Sequence, residues 1–115
     1  MPFAGTLSAW EFARLLANAR FVVGNDTGGV HFAAWCGVPA LAVTGGGHPG
    51  WYYPYPADAF PEYVRAPRTA GVEKPCYGCA WRCTRSAAGV FPCIDAVTAG
   101  AVAKELSRLL GSGAF

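Results

Sequence analysis

Charge is what this sequence has least of. Asp, Glu, Lys and Arg make up only 14% of it, and the seven Arg and two Lys are scattered, leaving a net charge of +2. No basic block or basic helix face is present, which excludes the electrostatic footprint of a nucleic-acid binder. Long apolar runs are missing too. The longest, Val30 to Val43, is broken by His31, Gly37 and Pro39 and falls short of the roughly 20 residues a membrane span needs. Met1 to Thr6 has neither the basic region nor the apolar stretch of a signal peptide. No internal repeat is found. The expectation is a cytoplasmic protein without a transmembrane segment, at most peripheral at the inner membrane face.

Apolar residues, by contrast, are abundant: 53% of 115 residues, in a chain long enough for one domain with a single modest core. The surplus is either an open face meant for another domain or subunit, or the alanine richness of a high-GC genome. Five cysteines in a cytosolic chain point to thiols, metal ligands or redox chemistry before structural disulfides.

Leu7 to Phe12 reads as a helix start. Ser8 can cap, Glu11 completes a capping box, and Leu7 and Phe12 occupy the positions of a hydrophobic staple. The helix runs through Ala19 with Arg14 and Asn18 facing out, and serves as scaffold. Phe21-Val22-Val23 is a short buried strand. A polar turn, Asn25 to Gly29, leads into a helix from Val30 to Cys36, which Gly37 ends as its C′ residue. Pro39 forbids continuation, and Ala40 to Val43 is the next buried strand. Two strands joined through a helix make a βαβ unit, so they are expected to be parallel, with a right-handed crossover. Trp51 to Pro56 is a stiff aromatic and proline-rich loop, Glu62 to Arg65 a short edge strand, and Lys74 to Cys93 irregular. Thr98 caps a final helix, Ala99 to Leu110, with Val102, Leu106, Leu109 and Leu110 on its apolar face; the tail from Gly111 frays.

The turn Asp26-Thr27-Gly28-Gly29 stands where a strand meets a helix N-terminus. Unpaired N–H groups, the helix dipole and two glycines that admit close approach favour an anion, most simply a phosphate or pyrophosphate. His31, one turn in, leans back toward the same spot. Asp26 would repel phosphate, so it either caps the helix or accepts hydrogen bonds from sugar hydroxyls. The alternative is purely structural, with Asp26 an N-cap, the glycines a tight turn and His31 a surface residue. A second glycine turn, Gly45 to Gly47 followed by His48, leaves the next strand at the same end, and two such turns frame a cleft where open α/β sheets bind ligands. Of the smaller features, His48 fits a turn filler, the aromatic loop a packing surface for another domain, and Cys36 a buried small residue.

Asp26-Thr27-Gly28-x-x-His31-x-Ala33, then Gly37-Val38-Pro39 and a strand ending in Gly45, resembles glycosyltransferase family 9, the ADP-heptose:lipopolysaccharide heptosyltransferase family. The helix from Ser8, the cysteine segment and Ile94 to Leu110 look like the flanking parts of that family, so the resemblance spans nearly the whole chain. It implies the GT-B architecture. The fold class expected is thus α/β: a partial Rossmann-like C-terminal domain, a short parallel sheet flanked by helices, with an irregular Cys-rich segment and a C-terminal helix. Residues 1–115 would form a single, incomplete nucleotide-sugar-binding domain holding the Cys-rich segment 74–93. The implied function is the donor-binding part of an inverting glycosyltransferase that moves heptose or a related sugar to a glycan or glycolipid such as lipopolysaccharide core. Thr27, Gly28 and Gly29 would meet the donor phosphates, Asp26 the sugar hydroxyls, and His31 the phosphates or the loop. Gly45 and Gly46 would line the other side. The partners implied are an ADP-heptose-like donor, a glycan or lipid-linked acceptor and the family's N-terminal domain. That domain carries the presumed catalytic Asp, so no catalytic residue is assigned here, no cofactor is required, and the isolated chain is expected to be inactive.

Cys76-x2-Cys79-x3-Cys83-x9-Cys93 is the other candidate centre. Four thiolates within 18 residues could hold Zn²⁺ or an Fe–S cluster, with Lys74, Arg82 and Arg85 lowering their pKa. Free thiols or a disulfide formed on oxidation are the other readings. Two alternatives to the transferase follow: a small four-cysteine metal-binding module, and a nucleotide- or anion-binding domain without catalysis.

Overall fold

A computed structural model describes residues 5–47, 50–86 and 88–111; His48, its neighbour Pro49, Ala87, the first four residues and the tail from Ser112 lie outside the described residues. Helix α1 spans Ala9–Ala17, strand β1 Val22–Asn25, α2 Gly28–Trp35, β2 Ala40–Val43, β3 Arg68–Ala70, α3 Pro92–Asp95 and α4 Ala99–Leu110. The three strands form one sheet in the order β1-β2-β3, and both pairings are parallel. Val23, Leu41 and Arg68 share one register row, and Asn25, Val43 and Ala70 another. The expected α/β class, with a short parallel sheet flanked by helices, is what the chain adopts.

Local chemistry starts and stops the helices as the residue types dictate. The Ser8 hydroxyl accepts from the Glu11 N–H at 3.2 Å, and the Glu11 carboxylate accepts from the Ser8 N–H at 2.8 Å, a complete capping box. Thr98 caps α4 by accepting from the Ala101 N–H at 3.1 Å. At the end of α2, the Gly37 N–H donates to the Ala34 carbonyl and the Val38 N–H to the Ala33 carbonyl, with Gly37 at φ +74°. This is a Schellman motif, and the left-handed residue in it is the expected glycine.

The core sits between α2 and the sheet. Val30 and Ala33 of α2 pack with Val38 and with Ala40 and Ala42 of β2, and Val22 and Tyr53 border the cluster. Small residues let helix and strand approach closely: Ala33, Ala40 and Ala42 are all fully buried. Strand alternation turns Leu41 to the opposite face, where it is also fully buried. Arg68, its register neighbour, reaches Glu105 of α4 on that side at 3.1 Å, so α4 covers the second face at β2 and β3. Burying Leu41 contributes about 2–3 kcal/mol. Helix α1 packs on α2, where Phe12 and Leu16 lie over Gly29. Leu16 is its one buried residue, and Trp10 stays 72% exposed. A helix resting on another helix alone buries one line of side chains and leaves the rest of its apolar face open.

Four expectations need correction. Asn25 belongs to β1 and α2 begins at Gly28, so Thr27, not Asp26, is the N-cap residue, and it makes no side-chain capping bond. The edge strand is not Glu62 to Arg65. There Val64 closes a turn onto the Pro61 carbonyl, and the Arg65 N–H is taken by the Ala34 carbonyl of α2. Pairing begins only after Pro67, at Arg68. The Cys-rich segment is not irregular to its end, because Pro92 opens the short helix α3. Cys36, finally, is exposed rather than buried, because it follows the exposed Trp35 as the C-cap residue of α2.

Candidate functional site

The carboxyl ends of β1 and β2 open onto a cleft of about 640 Å³ that also takes in Arg68 and Thr69 of β3. Asp26 stands at the end of β1, Thr44 and Gly45 at the end of β2, and Glu73 and Tyr77 beyond β3. The backbone fixes the first two: the Asp26 N–H donates to the Val43 carbonyl at 3.1 Å, and the Thr44 N–H to the Ala70 carbonyl at 2.9 Å. The aromatic loop supplies Tyr52 and Tyr53, and Trp81 completes the far side.

Asp26 and His31 are brought together. The His31 Nε2 lies 3.9 Å from Asp26 Oδ1, too far for a direct hydrogen bond. The Tyr53 hydroxyl is 3.1 Å from Nε2, and the Tyr55 hydroxyl is 2.6 Å from Nδ1. The three rings are nearly parallel, with His31 5.0 Å from Tyr53 and 5.7 Å from Tyr55 between centroids. Burial pushes the Tyr53 phenol well above its usual range, and the nearby charge of Asp26 pushes it further the same way. Burial raises Tyr55 as well. Thr27 turns away, its hydroxyl donating to the Asn25 carbonyl at 3.3 Å. Gly28 has no heavy atom within 4 Å of the place a side chain would occupy, so the approach to the start of α2 is open.

The second glycine turn is filled from within the chain. A Cβ on Gly46 would stand 2.0 Å from the Tyr77 ring, and one on Gly47 2.3 Å from the Trp81 ring. On Gly45 it would meet Ile94 at 3.0 Å and Cys93 Sγ at 3.2 Å. The Gly78 N–H donates to the Gly46 carbonyl at 2.7 Å and the Ala80 N–H to the Gly47 carbonyl at 2.9 Å. Gly46 and Gly47 are thus a platform on which the Cys-rich segment docks, and Gly45 also lines the cleft. Docking holds Ala80 and Trp81 at φ +54° and +63°, a left-handed conformation costing about 1–2 kcal/mol per residue.

Cleft charge is mostly acidic. Asp26 and Glu73 stand against Arg68, whose guanidinium is engaged with Glu105. Cys76, Cys79, Cys83 and Cys93 are half-buried free thiols, and among the described residues no three His, Cys, Asp or Glu side chains gather as metal ligands. No described helix is long and apolar enough to cross a membrane.

Sequence reasoning did not connect Tyr53 and Tyr55 to His31. The aromatic loop was expected to pack on another domain, yet these two tyrosines pack on α2 of their own chain while Trp51 and Tyr52 stay exposed. Residue types in the loop carried the signal, but its target lay 22 and 24 residues away. Glu73, Tyr77 and Trp81 also escaped notice as lining residues.

No curated protein and no solved structure matches the chain. The sequence model of glycosyltransferase family 9 (heptosyltransferase) does match, over residues 2–77. That stretch holds α1, the whole βαβ unit with its Asp26 turn, the aromatic loop and β3, and covers well over half of the sequence; the chain belongs to glycosyltransferase family 9.

Proposed function

We propose that the cleft binds a nucleotide-diphospho-sugar and that the chain is the donor-binding part of an inverting glycosyltransferase of GT-B architecture. The observation that carries this is the position of Asp26, within the family match, in the lining of the cleft at the end of β1, with Thr27 and Gly28 following it into α2. The diphosphate would lie at the N-terminus of α2, against the Thr27, Gly28 and Gly29 backbone and the positive end of the helix. Asp26 would accept hydrogen bonds from sugar hydroxyls, and Tyr52 and Trp81 offer aromatic faces to the sugar or base. In the transfer, an acceptor hydroxyl attacks the anomeric carbon, its proton goes to a base, and the nucleoside diphosphate leaves with inversion. The base belongs to the N-terminal domain of such enzymes, and none is assigned here. The donor is heptose-like and the acceptor a glycan or glycolipid such as lipopolysaccharide core.

Calorimetric titration with ADP, ADP-heptose, and UDP- and GDP-hexoses tests the reading. Asp26→Ala should weaken sugar-nucleotide binding about tenfold, the worth of a hydrogen bond to a charged group; unchanged affinity would sink the assignment. The alternative of a Cys76–Cys79–Cys83–Cys93 metal centre is decided by metal analysis of anaerobically purified protein. Less than about 0.2 equivalents of zinc and iron ends it.

A further inference from the structure

Three residues of the cleft lining, Tyr52, Tyr53 and Pro54, come from the aromatic loop and not from the sheet. We infer that His31 is a positioning residue for that wall. With Trp35, one turn further along α2, it clasps the loop against the helix, so that His31 shapes the cleft and makes no contact with a phosphate. For its effect on binding, the inference rests on the reading of the cleft as a sugar-nucleotide site.

The clasp has two points, four residues apart on α2 and therefore on one face of it. At the first, the Tyr53 hydroxyl lies 3.1 Å from His31 Nε2 and the Tyr55 hydroxyl 2.6 Å from Nδ1. The three rings stand within 14° of parallel, their centroids 5.0 to 6.3 Å apart. At the second point Trp35 meets Phe60 edge-on at 5.5 Å, and Phe60 packs on Tyr55 at 5.1 Å, which joins the two. Tyr53 also borders the buried cluster around Val30 and Ala33. Tyr53 and Tyr55 flank Pro54, whose ring fixes its φ, so tying both hydroxyls to one imidazole fixes the wall between them.

Counting hydrogens limits what His31 can do. A neutral imidazole has one N–H to donate and one bare nitrogen to accept with, and a hydroxyl can take either part. Whichever tautomer is present, the two phenols use both nitrogens. A phosphate oxygen would have to displace one of them. That leaves the diphosphate to the backbone N–H groups at the start of α2, where Gly28 keeps the approach open.

The test uses three variants of the full chain that keep every ring: His31→Phe, Tyr53→Phe and Tyr55→Phe. In urea denaturation Tyr55→Phe should lower the folding equilibrium constant about fivefold, the worth of one hydrogen bond, but less than about twofold when made on top of His31→Phe. Long-range ¹H–¹⁵N correlation, with His48→Gln removing the only other histidine, should show the ring nitrogens of His31 displaced in each tyrosine variant. Affinity for ADP-heptose should fall about three- to tenfold, and by the same factor, in His31→Phe and in the combined Tyr53→Phe, Tyr55→Phe chain. The combined chain separates clasp from phosphate contact, because it frees both nitrogens of a histidine that is still present. Wild-type affinity in the combined chain, or additive stability effects, overturns the inference. A wild-type chain that shows the coupling but binds no sugar-nucleotide overturns the donor reading instead and leaves the clasp standing.

Discussion

Replacing Gly46 with alanine is the sharpest test of how the cleft is built. The new methyl carbon would stand 2.0, 2.3 and 2.6 Å from three atoms of the Tyr77 ring. Unbonded carbons settle near 3.5–4.0 Å, so the ring must retreat by about 1.5 Å. It is poorly free to do so. The Tyr77 hydroxyl donates to the Val72 carbonyl at 2.6 Å, and the next residue is tied to Gly46 itself at 2.7 Å. Overpacking of this kind costs about 1–3 kcal/mol, and losing the Tyr77 to Val72 bond about 1 kcal/mol more. Against a total stability of about 5–15 kcal/mol that is a large fraction.

Urea denaturation should register the change as a midpoint lowered by about 1–2 M, given slopes near 1–3 kcal/mol/M. A thiol reagent gives the local reading. Cys36 is exposed and should react at once in both proteins, whereas the half-buried Cys76, Cys79, Cys83 and Cys93 should react faster in Gly46→Ala. Gly28→Ala is the control, because nothing lies within 4 Å of its new methyl group. Should Gly46→Ala match the wild type in both midpoint and thiol kinetics, the platform described for Gly46 and Gly47 is wrong.

Three further substitutions probe the scaffold. Gly37→Ala forces a side chain onto a backbone at φ +74° with the Tyr63 carbonyl oxygen 3.0 Å away, and should lower stability by about 1–2 kcal/mol in denaturant titration. Ser8→Ala removes the capping box of α1 and should lower stability by about 1 kcal/mol, with helicity lost in the far-ultraviolet spectrum. The hydrogen bond from Arg68, aided by Arg108, holds the Glu105 carboxyl below its usual range. A depressed folded-state pKa stabilises above the unfolded value and ceases to do so as pH falls through the folded one. Wild type should therefore exceed Glu105→Gln in urea midpoint at neutral pH, and the gap should close in acid below the ordinary carboxylate range.

The parts of the fold legible in the sequence were those that short-range chemistry determines. Ser8 with Glu11, Thr98 and Gly37 act within four residues of themselves, and all three perform as their types dictate. The βαβ unit was legible because Val22-Val23 and Ala40 to Val43 are apolar and separated by one short helix. Strand β3 was not. Arg68-Thr69-Ala70 is three residues long, two of them exposed, and shows no apolar period. Its place comes from β2, which needs a partner along its free side. The glycine turns showed the limit most clearly. Gly28 and Gly46 look alike in sequence, since each is a small residue in a turn after a strand. One opens onto empty space and the other lies beneath an aromatic ring. Composition records that the backbone can be approached closely there, but not whether anything does so.

That difference separates the two walls of the cleft. The Asp26 wall rests on bonds internal to the family-matched region: the Asp26 N–H to Val43, and the His31, Tyr53 and Tyr55 cluster. The opposite wall straddles the end of that match at Tyr77, the residue whose ring covers Gly46. Beyond it, Trp81 reaches the cleft only because Gly47 has no side chain and because the Ala80 N–H bonds the Gly47 carbonyl. The first wall is thus set by strand register and the second by docking. Docked contacts open at lower free energy than a sheet ladder. Local opening of the cleft should therefore start at Trp81 and Tyr77, while Asp26 holds its place for as long as β1 and β2 remain paired.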